Sequence, residues 1–284
     1  MNILVTGANG QLGQELRSLP NTDTTYFFTD IEELDITQIE AIQHFVGEHQ
    51  INVIINCAAY TDVSKAEEEI DKAELINTQA VANLANVAKN NNAVLIHIST
   101  DYVFGGNCIN TPIKEDATTN PLGVYGQTKL MGEEEIVKSG CKYFIIRTAW
   151  LYSAYGNNFV KTILRLSKEK ESLNVVCDQV GTPTYAGDLA LVIKMIAESD
   201  FRHKQGVYHF SNEGAISWFD FAKAIVELSE NQCEINACSS DDFGDSVSRP
   251  NYSVLDKAKI KQTLGLSIPY WKDSLKVCLS KING

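Results

Sequence analysis

Short apolar runs alternate with longer amphipathic segments through the first half of the chain. Residues rich in β-branched and aromatic side chains predict four buried strands, at 2–6, 25–28, 53–60 and 94–100. A helix-compatible pattern begins at Gln11 and recurs between the later strands. This alternation predicts an α/β fold with a doubly wound parallel sheet of the Rossmann type.

The pattern changes after residue 150. Loops that contain glycine and aromatic residues, at 151–159 and 178–184, interrupt the periodic segments, and a capped helix start follows at Ser217. We therefore predict two units. A dinucleotide-binding Rossmann domain comprises residues 1–150 plus about 185–205, and a smaller C-terminal α/β lobe that binds substrate comprises residues 151–184 and 206–284.

Composition narrows the class of protein. The chain has 284 residues, 44% of them hydrophobic, which is enough for a large domain with a smaller lobe. A net charge of −12 argues against nonspecific nucleic-acid binding. The chain contains neither an N-terminal signal pattern nor an apolar run near the eighteen residues that a membrane span requires, so we expect a cytoplasmic protein without membrane contact.

Cysteines and histidines give no metal motif. The seven cysteines are scattered and never spaced as C-x-x-C, and none of the five histidines belongs to an H-E-x-x-H pattern. We expect the cysteines to be small apolar residues in a reducing compartment and predict no metal site.

A glycine-rich segment follows the first strand and opens the first helix. Glycine lets the backbone approach a pyrophosphate closely, and the free N–H groups of a helix N-terminus favour an anion. We therefore predict that this segment binds a dinucleotide, through Gly7, Asn9, Gly10, Gln11 and Leu12.

The ends of the next two strands complete the predicted cofactor site. Asp30 follows the second strand, where a carboxylate can accept hydrogen bonds from the adenosine ribose and repel a 2′-phosphate. Asp35 and Ile36 are candidates for flanking the adenine. Small residues at the end of the third strand would form a wall against the flat cofactor, at Ala58, Ala59 and Tyr60.

A tyrosine and a lysine at helical spacing are candidates for catalysis. On a helix over 125–138, Tyr125 and Lys129 share one face, and a nearby cation would lower the pKa of the phenol. Ser99 and Thr100 end the fourth strand, and parallel strands carry ligands at their carboxyl ends. A hydroxyl there could polarise a substrate carbonyl.

Two acidic runs and one arginine are the remaining charged features. The acidic runs 67–69 and 133–135 are expected to be solvated helix faces without a function. Arg249 is a candidate for holding a phosphate or a carboxylate through its planar guanidinium group.

Seven stretches together resemble the extended short-chain dehydrogenase/reductases, and within them the dTDP-4-dehydrorhamnose reductase family. The resemblance covers essentially the whole chain, and the S-T-D-Y-V-F, R-T-A-W and R-P-x-x-S-x-L strings are more specific than the glycines. The stretches are 6–13, 56–61, 99–104, 125–129, 147–150, 181–184 and 249–250.

The resemblance implies an NAD(P)H-dependent oxidoreductase. Its expected reaction is reduction of the C4 ketone of dTDP-4-dehydro-L-rhamnose to dTDP-L-rhamnose, the last step in making that nucleotide sugar for polysaccharide. It implies that Tyr125 donates the proton, that Lys129 holds the nicotinamide ribose, and that Thr100 binds the carbonyl. The implied contacts with the nucleotide sugar are Thr61, Val63, Thr100, Tyr102, Trp150, Asn158 and Arg249.

Three other functions are compatible with the same fold, and each would differ from the reductase in one respect. A sugar-nucleotide 4,6-dehydratase would carry an acidic pair after the threonine, whereas this chain has Asp101 followed by Tyr102. An epimerase of the same superfamily needs little beyond the same tyrosine and a trapped NAD. A noncatalytic subunit resembling the regulatory partner of methionine adenosyltransferase would keep the fold without turnover.

The cofactor and the assembly are left open in two respects. NADPH and NADH both fit the resemblance. Some members form a magnesium-bridged dimer, and Glu15 lies where one ligand would be, but the C-terminus has no obvious acidic partner. Mg²⁺ is therefore possible but not assigned, and the chain is expected to be a monomer or a homodimer.

Overall fold

A computed structural model describes residues 1–20, 23–106, 110–244 and 249–283. Cys108 lies outside these ranges; the other six cysteines are free thiols. The described residues form twelve strands: β1 Asn2–Thr6, β2 Thr25–Thr29, β3 Val53–Asn56, β4 Val94–Thr100, β5 Lys142–Thr148, β6 Leu151–Tyr152, β7 Ser172–Val176, β8 Val180–Gly181, β9 Thr184–Tyr185, β10 Gly206–His209, β11 Ile216–Ser217 and β12 Glu234–Cys238.

Twelve α-helices connect and cover these strands. They are α1 Gln11–Ser18, α2 Ile39–Glu48, α3 Val63–Ala66, α4 Ile70–Glu74, α5 Ala80–Asn90, α6 Val124–Ser139, α7 Phe159–Glu169, α8 Ala186–Glu198, α9 Trp218–Leu228, α10 Ser240–Phe243, α11 Ala258–Leu264 and α12 Trp271–Asn283. A π-helical turn, Leu75–Gln79, joins α4 to α5, and short 3₁₀ turns cover Asp101–Phe104 and Asp200–His203. No helix in the described ranges has the length and apolar character needed to cross a membrane.

The main sheet has six parallel strands in the order β10-β5-β4-β3-β1-β2. Its interior strands are buried on both faces, which explains why they appear in the sequence as continuous apolar runs. The predicted doubly wound α/β fold is confirmed. The third strand is shorter than predicted, because it ends at Asn56 and the chain then continues as a loop.

Helices cover both faces of this sheet. Side chains of α1, α8 and α11 pack on one face, and side chains of α2, α5 and α6 pack on the other. Strand β10 pairs with β5, although we predicted that residues 206–209 belong to the lobe. This half-buried edge strand next to β5 continues the main sheet past the predicted boundary at 205. The division into two units otherwise stays a prediction.

A separate apolar cluster lies among the C-terminal elements. It contains side chains of α7, α9 and α12 together with β7 and β12, which pair in parallel. Helix α9 begins with the predicted cap: the Ser217 hydroxyl accepts the Asp220 N–H, and the Asp220 carboxylate accepts the Ser217 N–H.

Candidate active site

The glycine turn between β1 and α1 has the geometry of a phosphate cradle. Gly7 has φ +66°, and a Cβ there would lie 2.5 Å from the Ala58 nitrogen, so only glycine fits. The backbone of Gly10 is extended and caps α1. The helix N-terminus therefore presents N–H groups beside a turn that has no side chain at its closest approach.

Asp30 is fixed to this turn. Its carboxylate accepts the backbone N–H of Asn9 and that of Ile31, each at 2.9 Å. The end of β2 is thus tied to the glycine turn, and the negative charge lies where the adenosine ribose of a dinucleotide is expected.

The other predicted cofactor residues lie around the same edge of the sheet. The Asp35 carboxylate accepts both the N–H and the hydroxyl of Thr37, while Ile36 is buried in the core beside α2 and α5. Leu12 is also buried. Ala58 and Ala59 are partly buried after β3, and the Tyr60 backbone is held on both sides by the Asn77 amide of the π-helical turn.

Thr100 and Tyr125 meet at the carboxyl end of β4. Helix α6 begins at Val124, one residue before the predicted start, and the Thr100 side chain lies near enough to the Tyr125 phenol to oppose the rise of its pKa. The Thr100 hydroxyl also donates to Asp101 at 3.2 Å. The ring of Tyr102 packs edge-on against Tyr125, with their centroids 5.4 Å apart. Two hydroxyls thus converge on one point.

The protonation of Tyr125 differs from the prediction. Burial raises the pKa of the phenol above its ordinary value, and the nearby Asp101 and Tyr102 raise it further, while the hydrogen bond with Thr100 opposes them. The predicted lowering by Lys129 is not what the structure has, because the Lys129 ammonium is directed elsewhere. Tyr125 therefore stays protonated at neutral pH and can act as a proton donor.

Lys129 is buried beneath the tyrosine. Its Nζ donates to the Ile98 carbonyl at 2.7 Å and lies 3.2 Å from Nε2 of His97. Burial lowers the pKa of this amine to about 8, although the nearby Glu133 and Cys57 act in the opposite direction. His97 is fully buried, and its pKa is well below the usual range because of burial and the neighbouring Lys129.

Glu133, one residue of the second acidic run, does not lie on the solvated face that we predicted, whereas Glu134 is exposed. Glu133 is 4% exposed and forms a bidentate ion pair with Arg147, with contacts of 2.6 and 2.9 Å. The Ser99 hydroxyl donates to the same carboxylate, so Ser99 does not face the crevice with Thr100. Adjacent residues of a strand point to opposite faces, which explains why the two hydroxyls separate.

Two glutamates of the first acidic run accept hydrogen bonds. Glu69 accepts a hydrogen bond from the Tyr60 hydroxyl, and Glu67 accepts the Val124 N–H at the start of α6. These contacts connect the loop after β3 to the helix that carries Tyr125.

Trp150 is held between two surfaces. Its indole stacks on Trp218 with centroids 3.6 Å apart and planes 11° apart. On another side, a Cβ at Gly181 would lie 2.6 Å from the indole ring. Trp150 itself has φ +47°, which is unusual for a non-glycine residue. The surroundings therefore fix the position of this ring.

We expect Gly181→Ala to displace the Trp150 indole and destabilise the protein by about 1 to 3 kcal/mol, because the added methyl group overpacks the contact. Chemical denaturation followed by tryptophan fluorescence measures the loss. Gly47→Ala is the matched control, since a Cβ at Gly47 has no atom within 4 Å. An equal effect in both variants would contradict this account of Gly181.

A cleft of about 740 Å³ adjoins the tryptophan pair. Its lining is a mixture of apolar and polar side chains with two cationic groups, Lys170 and Arg249, and is suited to an organic anion. Arg249 also contacts the Tyr102 hydroxyl at 3.4 Å, which links the cleft to the tyrosine pair. The lining residues include Phe159, Leu166, Gln179, Trp218, Phe243 and Arg249.

Three of the residues predicted to contact the substrate differ in exposure and in their hydrogen bonds. Thr61 is exposed in the loop that follows β3, and Val63 is partly buried at the start of α3. The Asn158 amide caps α7 and donates to Gln11 and to the Ser153 carbonyl. The structure thus gives Asn158 and Gln11 a joint role in connecting α7 to the start of α1.

Glu15 is enclosed rather than available for a metal. Its carboxylate is 1% exposed and accepts hydrogen bonds from Ser153 at 2.7 Å and from Lys281 at 2.8 Å. Within the described residues no group of three or more His, Cys, Asp or Glu side chains could hold a metal ion. Both oxygens of the Glu15 carboxylate thus have hydrogen-bond partners within the chain.

Some features of the site were missed in the sequence. The sequence indicated that Trp218 begins a capped helix. No feature of the sequence indicated that its ring stacks on Trp150. Asn56 and His97 lie inside apolar strands, where a single polar residue between hydrophobic neighbours was the only available sign.

Comparisons with known proteins agree with this geometry. Residues 1–283 match the family described as the RmlD substrate binding domain. A dTDP-4-dehydrorhamnose reductase of Aggregatibacter actinomycetemcomitans is 41% identical, with 96% of this chain and 97% of that protein covered. A crystal structure of a Clostridium acetobutylicum dTDP-4-dehydrorhamnose reductase has a TM-score of 0.95 at 42% identity, with both chains fully covered. The Bacillus anthracis reductase, crystallised with NADP, has a TM-score of 0.94 at 39% identity, with 99% of each chain covered.

Proposed function

This chain belongs to the RmlD substrate-binding-domain family, and we propose that it reduces the C4 ketone of dTDP-4-dehydro-L-rhamnose to dTDP-L-rhamnose. The observation that carries the proposal is the convergence of the Thr100 and Tyr125 hydroxyls at the carboxyl end of β4. That point lies at the sheet edge that also carries the glycine turn. A cytoplasmic location is part of the same proposal.

The glycine turn fits a dinucleotide. The space next to Gly7 would be filled by any Cβ, and the N-terminus of α1 follows it. Asp30 would hold the adenosine ribose, and Lys129 the nicotinamide ribose. When bound, the reduced nicotinamide supplies a hydride to the ketone carbon.

Tyr125 and Thr100 act on the ketone oxygen. Thr100 donates a hydrogen bond that polarises the carbonyl, and Tyr125 gives its proton to the oxygen as negative charge develops there. The raised pKa of Tyr125 keeps this proton in place before reaction. The ketone thus gains one hydride and one proton and becomes the C4 alcohol.

The wider cleft is proposed to bind the nucleotide-sugar. Trp150 would border the sugar beside Tyr102, and Arg249 would neutralise a phosphate with its guanidinium group. Elimination of water is disfavoured because the residue after Asp101 is Tyr102, which is no carboxylate base.

Asp30 is proposed to govern coenzyme preference. We expect Asp30→Asn to increase the ratio of kcat/KM for NADPH to that for NADH about tenfold, because the neutral amide no longer repels a 2′-phosphate. Steady-state kinetics with both coenzymes measures the ratio. Glu32→Gln, an exposed change two residues away, is the control for a general loss of negative charge. An unchanged ratio in Asp30→Asn would show that Asp30 does not determine the preference between NADPH and NADH.

The function itself is tested by following NADPH and NADH absorbance after mixing the protein with freshly made dTDP-4-dehydro-L-rhamnose. Stoichiometric oxidation with formation of dTDP-L-rhamnose supports the reductase. If the protein binds coenzyme but oxidises none, the epimerase and the noncatalytic subunit replace it.

A further inference from the structure

A row of polar side chains crosses the otherwise apolar sheet and ends at Lys129. Thr6, Asn56 and His97 occupy matching register positions on β1, β3 and β4. The Thr6 hydroxyl donates to Oδ1 of Asn56 at 2.8 Å, Nδ2 of Asn56 lies 3.0 Å from Nδ1 of His97, and Nε2 of His97 lies 3.2 Å from Nζ of Lys129. All four residues are at most 2% exposed, so water does not supply alternative partners.

A backbone N–H sets the direction of this network. The N–H of Ala58 donates to Oδ1 of Asn56 at 3.1 Å, and a backbone amide cannot reverse its role. The oxygen of the Asn56 amide is therefore on that side, and its NH₂ group faces His97. Because an amide NH₂ only donates, Nδ1 of His97 must accept and carries no proton.

The remaining proton of His97 then lies on Nε2. Burial keeps the imidazole neutral, so one nitrogen carries a proton and the other does not. An Nε2–H directed at an ammonium group would place two donors against each other. A neutral amine has a lone pair that accepts this N–H, and it still donates to the Ile98 carbonyl.

We propose that Asn56 and His97 are positioning residues that favour the neutral amine of Lys129, through a chain of hydrogen bonds whose direction is fixed by the Ala58 N–H. The catalytic relevance of this chain rests on the proposed reductase function. Its direction rests only on the geometry of the buried row.

Other groups that face Lys129 do not remove this preference. Glu133 lies on the same helix, but its charge is already paired with Arg147. Cys57 follows β3, and burial raises the pKa of its thiol to about 12, so it stays neutral. Burial of the amine acts in the same direction as the hydrogen-bond chain.

The chain also connects Lys129 to the glycine turn, since Ala58 is the residue against which Gly7 packs. A shift of the Ala58 N–H away from Asn56 would let the amide rotate, and His97 would then move its proton to Nδ1 and accept from an ammonium group. Without such a shift, the Lys129 amine loses its proton more readily than an ordinary lysine does, and its pKa is about 8.

The tautomer of His97 is the direct test and needs no substrate. Nitrogen-15 NMR of the imidazoles, with His97 assigned from a His97→Leu sample, is recorded at about pH 9, between the lowered and the ordinary pKa of lysine. We expect Nε2 to be protonated and Nδ1 to be bare. A proton on Nδ1 at this pH would overturn the proposal, whether or not the protein is a reductase.

Asn56→Asp reverses the chain with almost no change in shape, because the carboxylate accepts from both Ala58 and His97. We expect His97 to carry its proton on Nδ1 and the titration midpoint of Lys129, followed by carbon-13 NMR, to rise by about one pH unit or more. The added negative charge alone would also raise it. The same substitution in a His97→Leu background isolates that effect, and we expect less than half of the shift there.

An equal shift in both backgrounds would assign the effect to charge and reject the chain. If either variant does not fold, the tautomer in the unmodified protein still decides. In the reductase assay, the alkaline limb of the pH profile should move with the Lys129 midpoint in Asn56→Asp; a lower kcat at an unmoved pH profile contradicts a role in setting protonation.

Discussion

Tyr125→Phe is expected to lower kcat at least about a hundredfold and to leave coenzyme affinity within about twofold, because it removes only the proton donor. The ring keeps its edge-on contact with Tyr102, so the surrounding packing is preserved. Stopped-flow or steady-state coenzyme oxidation measures kcat, and fluorescence titration measures coenzyme binding.

Tyr143→Phe is the matched control for the tyrosine variant. Tyr143 lies on β5 and packs against the core cluster beside α2 and α5, away from the crevice. Its loss of a hydroxyl should leave kcat unchanged. Near-normal turnover in Tyr125→Phe would remove Tyr125 from the proton transfer and would leave Thr100 or water as the donor.

Arg147→Met is expected to destabilise the fold by about 3 to 5 kcal/mol, because it leaves the Glu133 carboxylate buried without its partner. Both side chains of this pair are at most 6% exposed. Urea denaturation followed by circular dichroism measures the free energy of unfolding. Replacing both residues, in Arg147→Met with Glu133→Leu, should recover most of the loss, since no unpaired charge remains.

Arg165→Met is the control for the arginine variant. Arg165 pairs with Glu169 on the surface of α7, where both side chains are more than half exposed. Exposed pairs contribute about 0 to 1 kcal/mol, so this variant should lose little. If Arg147→Met and Arg165→Met lowered the free energy of unfolding by similar amounts, the buried pair would contribute no more to stability than the exposed pair.

Local sequence patterns predicted the elements that position the site. Strand β4, helix α6 and the glycine turn each depend on spacing within a few residues, and their placement follows from parallel-sheet geometry. The carboxylate of Asp30 was predicted for the same reason, since it lies a fixed distance beyond the glycines. The resemblance to the reductases is confirmed by the matches over the full chain.

What the sequence did not predict depends on distant partners. Glu133 appeared as one of three exposed glutamates, and only the fold places Arg147 against it. The protonation of Lys129 and Tyr125 was inferred from their spacing alone, whereas burial is the largest influence on both pKa values in the folded chain. Spacing along a helix shows which side chains are neighbours but does not show how far they are from water.

The Glu15–Lys281 pair has a consequence for how the protein matures during synthesis. These residues are 266 positions apart, so the ribosome makes Ser153, the other partner of Glu15, long before it makes Lys281. Domains tend to fold from the N-terminus as they emerge, so the Ser153 contact with Glu15 can form before α12 supplies Lys281. Nascent chains should therefore leave Glu15 without its positively charged partner until residue 281 has been made, and pairing of α12 with α1 should come later than formation of α1 itself.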